Sequence, residues 1–253
     1  MNDDAAAACA QSLSALLALA EELAEDAWDR PTDCPAWTVG QVYAHIAGIE
    51  RWLADGGIPI TGPLQSWIDS HVAERAGYSR EQTLRELRVL VPARLAQLAA
   101  PPAEAYAPFV GTVSASVALS LRAFDLWVHE QDIRYATGHP GNLGSPGAHL
   151  TGRLIIRSLP KVVAKTAGAP PASSVRLIAG GEVPIDVTIA VDASGRGRLA
   201  PPDGTAATTV IRMSWPALAR LGAGRGSPAD HAITVSGDTD LGHRVIANLN
   251  IAP

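Results

Sequence analysis

Apolar positions in the first two thirds of the chain recur every three or four residues, and in the last third they alternate. Leu13, Leu16, Leu17, Ala20 and Leu23 predict an amphipathic helix over residues 5–28, ended by Pro31. Thr38-Val-Gly-Gln41 has the form of a capping box and predicts a second helix from there to about Asp55, stopped by Gly56-Gly57. A shorter segment over 64–77 holds Trp67, Ile68 and His71, with His71 read as a surface or groove residue. Ser79-Arg-Glu-Gln82 is a second capping box. It opens a helix through Leu84, Leu87, Leu90 and Leu95, which Pro92 is expected to kink and Pro101-Pro102 to end. A loop around Gly111 leads into a long helix over Leu119 to Gly138, where the glycine is a C-terminal stop and Pro140 follows. Ser145-Pro146 starts a further helix through Leu150, Leu154, Ile155 and Leu159 to about Thr166, leading out of the helical run.

After Gly168-Ala-Pro-Pro171 the period becomes two. Ile185, Val187, Ile189 and Val191 alternate with Asp186, Thr188, Ala190 and Asp192, the pattern of a strand with one buried face. Thr208 to Met213 and Ala232 to Ser236 read as two more strands, and Ser194-Gly-Arg-Gly197 as a turn. Ser214 caps a short helix through Leu218 and Leu221, and Asp238 a final one toward Leu249. The expected architecture is an α plus α/β two-domain chain. Residues 1–168 form an antiparallel four-helix bundle, and residues 169–253 form a small α+β domain.

Composition narrows the class of function. With 253 residues the chain is long enough for two cores. It is 47% hydrophobic, yet no segment approaches the roughly 18 apolar residues of a membrane span. The alanine-rich start contains acids and lacks a basic leader, so a cytoplasmic protein is expected. A net charge of −5 without a Lys/Arg cluster disfavours nucleic-acid partners. Cys9 and Cys34 do not have a metal-ligand spacing and are expected to be free thiols.

The candidate chemistry sits on the long helix. Ala118, Leu121, Asp125, His129 and Asp132 share one face, which is apolar until Asp125 and His129 interrupt it. Burying both unpartnered would cost several kcal/mol, so they need company. A carboxylate and an imidazole four residues apart can hold one metal ion; an Asp-His hydrogen bond or a charged pair on a groove wall is the alternative. Glu130 lies about 100° round the helix and stands four residues before Arg134, as in an exposed ion pair. On the second helix Val42, His45, Gly48, Ile49 and Trp52 share a face, with Gly48 leaving room beside His45. His45 is either a satisfied core histidine or a third ligand for the Asp125-His129 pair.

Cys34-Pro-Ala-Trp-Thr-Val39 with His45-Ile-Ala-Gly48, and Asp125-Leu-Trp-Val-His-Glu-Gln-Asp-Ile-Arg134, resemble the mycothiol-dependent maleylpyruvate isomerase family. Leu221-Gly-Ala-Gly-Arg-Gly226 and Val235-Ser-Gly-Asp238 are similar to the same family's C-terminal domain. The resemblance implies a DinB-like bundle, a divalent metal, usually zinc, and mycothiol as thiol cosubstrate. It places the metal on His45, Asp125 and His129, and departs from the family in having Asp125 where a glutamate is usual. Arg225 matches an arginine that contacts the cosubstrate; on its own sequence it reads equally as a solvated turn residue. Asp132 either orients the His129 ring or pairs with an arginine.

The implied activity is metal-activated thiolate addition to a small electrophile, as an S-transferase or a cis-trans isomerase. Metal-dependent hydrolase or lyase chemistry without thiol, and non-catalytic binding or resistance to a small molecule, are the alternatives. The expected partners are a small-molecule substrate and a low-molecular-weight thiol, in a monomer or small homo-oligomer.

Overall fold

The structure, a computed structural model, describes residues 2–34, 37–108, 110–201 and 206–252, with side chains from residue 4 on. Pro35 and Ala36 of the Cys34-Pro-Ala-Trp37 motif lie outside the described residues. Contacts divide the chain into two units, Met1–Leu150 and Thr151–Pro253. The division therefore comes earlier than residue 168. Periodicity marked the helix after Ser145, but does not say which core the helix joins.

The first unit contains α1 (Asn2–Glu22), a 3-10 turn (Glu25–Asp29), α2 (Val39–Ala54), α3 (Leu64–Ala73) and α4 (Arg80–Leu98). The hairpin β1 (Glu104–Ala107) and β2 (Gly111–Ser114) then leads into α5 (Ala115–Thr137). The four long helices form the bundle: α1 packs on α4 and α5, α2 packs on α4 and α5, and α3 lies against α2. Both capping boxes form. Thr38 and Ser79 each accept a backbone hydrogen bond from the third helical residue, whose glutamine side chain answers the cap. Pro92 sits inside α4 without ending it. Gly138 closes α5 at φ +72°, in the left-handed region where a Cβ is strained. The hairpin replaces the expected loop; its two four-residue strands are too short for a readable alternation.

The second unit is entered by α6 (Pro146–Lys161), which runs on into a π-helical turn (Val162–Thr166). It contains β3 (Ser174–Gly180), β4 (Ile185–Val191), β5 (Gly197–Ala200), β6 (Thr209–Ser214), α7 (Trp215–Gly222), β7 (Thr234–Gly237) and α8 (Thr239–Ala247). The sheet order is β5-β4-β3-β6-β7, with β3 and β6 parallel and the other neighbours antiparallel. The sequence reading lacked β3 and β5. β3 is central, and its Val175, Leu177 and Ala179 face the core with Ile189, Ile211, Trp215 and Leu218 also buried. No described helix of the chain is long and apolar enough to cross a membrane.

Candidate metal centre

Two helices of the bundle converge on one cluster. α2 is buried from Val42 to Glu50, so His45 points into the core despite its polar ring. On α5, Arg122, Asp125, His129 and Asp132 follow each other at three- and four-residue steps. One donor atom each of His45, Asp125 and His129 lies within 4.8 Å of the others. The His45 and His129 rings meet edge-on with centroids 5.0 Å apart, and Trp37 packs over His45 at 4.7 Å.

Each donor is prepared differently. His129 Nδ1 faces Asp132 Oδ2 at 3.1 Å, which leaves Nε2 turned toward Asp125 Oδ1 at 3.5 Å. A carboxylate behind one ring nitrogen fixes the ring and raises the basicity of the other, the usual support for a metal-binding imidazole. Burial alone would lower the His129 pKa, but Asp125 and Asp132 outweigh it and raise it to about 9. A cation bound there thus replaces a proton held by two carboxylates. Burial also opposes the Asp125 charge, yet Arg122 and the two imidazoles hold its carboxyl well below the usual range. His45 is pushed well below its ordinary value by burial and by the neighbouring His129 charge. Among the described residues its Nδ1 is buried without a hydrogen-bond partner. A buried imidazole kept neutral, with an unsatisfied nitrogen, next to a carboxylate and a second imidazole is a donor set suited to zinc.

Behind the donors stands an ion network that sequence reasoning missed. Glu50, fully buried on α2, accepts from Arg94 Nε of α4 at 2.8 Å and from Arg122 Nε of α5 at 2.7 Å. Arg122 also donates through Nη1 to Asp125 Oδ2. The carboxylate of Asp125 is therefore held on one oxygen by a guanidinium that is itself anchored by Glu50, while the other oxygen faces His129. The short aspartate side chain is thus oriented by this arginine.

Two expectations about neighbouring residues are corrected. His71 is not at the surface: it is buried against Gly48, where a Cβ would approach His71 Cβ to 2.4 Å, so the glycine makes room for His71 rather than for His45. Burial lowers the His71 pKa to about 4. Glu130 is not an exposed partner of Arg134. It is completely buried, bonded to Arg134 at 2.7 Å and Asn142 at 2.6 Å, and burial raises its pKa despite the arginine.

A second donor group, Cys34 with His129 and Asp132, also lies within 4.8 Å. It competes with the His129-Asp132 hydrogen bond, whereas the His45 group leaves that bond intact. Arg225 belongs to the second unit. It is half-buried in the turn after α7, donating through Nη1 to Ala223 O at 3.0 Å, with its backbone amide on Arg220 O.

Comparison with known proteins agrees with this architecture. No curated protein matches the sequence. Over 93% of both chains, the fold is similar to a crystal structure of the mycothiol-dependent maleylpyruvate isomerase, with a TM-score of 0.58 and 17% identity. A histidine-to-alanine mutant of that enzyme aligns with the same TM-score of 0.58 at 16% identity. Residues 9–134 match the mycothiol maleylpyruvate isomerase N-terminal domain, and residues 150–244 match the MDMPI C-terminal domain. The two matches together span most of both units, and the chain belongs to the mycothiol maleylpyruvate isomerase family.

Proposed function

We propose that this protein is an enzyme that adds mycothiol to a small electrophilic metabolite, as an S-transferase or a cis-trans isomerase, with a divalent cation held by His45, Asp125 and His129. The observation that carries the reading is the convergence of these three donors in a family whose crystallised relative is named for mycothiol-dependent isomerisation. Zinc suits two imidazoles and one carboxylate with positions left open, and when bound it favours the thiolate of a thiol that is otherwise mostly protonated at neutral pH.

The chain's own groups do the rest. Asp132 holds the His129 ring through Nδ1, so that Nε2 faces the reacting side. Arg122 keeps Asp125 ionised and oriented. Trp37 shields the imidazoles from water on one side. Arg225 is assigned to an anionic group of the thiol cosubstrate, on the family resemblance of the turn Leu221-Gly-Ala-Gly-Arg-Gly226.

The test is metal content and thiol-dependent turnover, measured together on untagged protein. About one zinc per chain is expected in the wild type, lost in His129→Ala together with turnover of electrophiles in the presence of mycothiol. Turnover that persists after the metal is removed overturns the metal role. Turnover that ignores added thiol overturns the thiol role and favours hydrolase or lyase chemistry.

A further inference from the structure

An unbroken row of rings runs away from the candidate metal centre along one side of the helical unit. Starting at His45, it passes to His71 with centroids 6.3 Å apart, to Trp67 at 4.4 Å, to Trp52 at 5.1 Å and to Tyr106 on the hairpin at 6.1 Å. On its other side His45 is covered by Trp37. Two helices, α2 and α3, and the β1–β2 hairpin contribute to this row, so no single amphipathic stripe accounts for it.

The rings are placed where a ligand can meet them. Trp37, Trp52, Trp67 and Tyr106 are all only partly buried, whereas Trp28 and Trp127 of the same unit are 6% and 1% exposed. Leaving part of three indoles in water forgoes the burial that makes tryptophan stabilising. The Trp52 indole is nonetheless fixed, since its Nε1 donates to Ile58 O at 3.1 Å.

The charges alongside are already matched. Arg122 and Arg94 share Glu50, and Arg122 also holds Asp125. Arg75, which donates to His71 O, makes two hydrogen bonds to Glu86 at 2.9 and 2.7 Å. A substrate carboxylate that turned to Arg75, Arg94 or Arg122 would have to break one of these pairs. An uncharged planar group needs only the ring faces.

Resting on the thiol-addition reading, we infer that the electrophile carries an aromatic or extended planar apolar substituent, which stacks along Trp67, Trp52 and Tyr106 while its reactive end lies at His45 and His129. A small dicarboxylate is then a poor substrate for this chain.

Binding and turnover separate the two readings. Benzylacetone is a phenyl-substituted alkyl ketone without the activated double bond that a thiol adds to, so its binding tests the ring row alone. Titrated into metal-loaded protein and followed by tryptophan fluorescence and saturation-transfer NMR, it should bind at least about tenfold more tightly than butanone or succinate. Trp52→Leu and Trp67→Leu should each weaken it about tenfold with metal content unchanged, and Trp67→Phe should restore much of the loss. Equal affinity for benzylacetone and butanone, or unchanged binding in both leucine variants, overturns the inference. With mycothiol, benzylideneacetone should then be turned over faster than maleate. Tight benzylacetone binding without any turnover of benzylideneacetone leaves the aromatic subsite standing and sinks the thiol-addition reading.

Discussion

The helical unit closes its core around charge, and the sheet unit closes its core around hydrocarbon. Among the described residues, every fully buried arginine, histidine and carboxylate belongs to residues 1–150, including His45, Glu50, Arg94, Arg122, His129 and Asp132. Beyond residue 150 the buried polar residues are Thr151, Ser173 and Thr209, hydroxyls only. The sheet unit keeps its ion pairs, Arg176 with Asp186 and Arg198 with Asp192, on the surface. Stability does not explain the difference, because apolar residues of similar volume often serve as well as or better than a buried ion network. What the network does in the bundle is hold Asp125 in place, and the sheet unit has no such carboxylate to hold.

The largest test of that contrast is Glu50→Ala. It leaves two guanidinium groups, from Arg94 and Arg122, buried without their shared carboxylate, which should cost about 3–5 kcal/mol. Five of the six tryptophans, at 28, 37, 52, 67 and 127, lie in the helical unit, so the fluorescence midpoint in denaturant reports that unit. Zinc affinity should fall with it, because Arg122 loses its anchor. A cost below about 1 kcal/mol would mean that the network is not what distinguishes the two cores.

A pair of glycine substitutions asks whether any steric lesion has the same effect. In Gly48→Ala the new Cβ meets His71 Cβ at 2.4 Å, and in Gly237→Ala it meets Thr208 O at 2.1 Å on a backbone already at φ +81°. Each should cost about 1–3 kcal/mol. Gly48→Ala is expected to lower zinc affinity as well, by shifting α2 beneath His45, while Gly237→Ala leaves zinc content as it is. Equal loss of zinc in both would erase the distinction between a functional and a supporting core.

The contrast was only half legible in the sequence. Both capping boxes, the glycine stop at 138 and the change of period near residue 170 were local signals, and they led to the right class of architecture. His45, Asp125 and His129 were visible because each interrupts an apolar helical stripe. Glu50, Arg94 and Arg122 were visible by the same rule and were passed over. Glu50 ends the run Ile46-Ala-Gly-Ile49, Arg94 takes the next step of the stripe Leu87, Leu90, Val91, and Arg122 stands three residues before Asp125. Their pairing, 44 and 72 positions apart, is a tertiary fact that no spacing encodes. The burial of His71 depends on Gly48 across a loop. β3 was missed because Ala179 and Ile178 blur its alternation.

The cysteines give a smaller effect within the charged core. Burial first, and then the Glu50 charge, push the Cys9 thiol up to about 12, and its Sγ donates to Leu119 O at 3.2 Å. Cys34 is only partly buried. At pH 8 in native protein, alkylation should modify Cys34 and spare Cys9, which has only about one thiolate in ten thousand at that pH. Mass spectrometry after proteolysis would read this out, and rapid labelling of Cys9 before unfolding would mean that the interior around Glu50 opens to solvent.

The smallest expected effect comes from a surface ion pair whose hydrogen bonds are as short as the buried ones. Arg176 donates to Asp186 through Nε at 2.8 Å and Nη2 at 2.7 Å, distances that match those around Glu50. The two carboxylates thus receive hydrogen bonds of nearly the same length, Glu50 from two arginines and Asp186 from one, and Glu50 is fully buried while Asp186 is half exposed. Water and salt screen the exposed pair, and holding two long side chains together offsets what attraction remains. Arg176→Ala should leave the unfolding midpoint unchanged within error at high salt, and shift it slightly at most at low salt. If it instead destabilises the protein as much as Glu50→Ala, ion-pair geometry rather than depth governs these charges, and the argument that the bundle retains its network for the sake of Asp125 loses its footing.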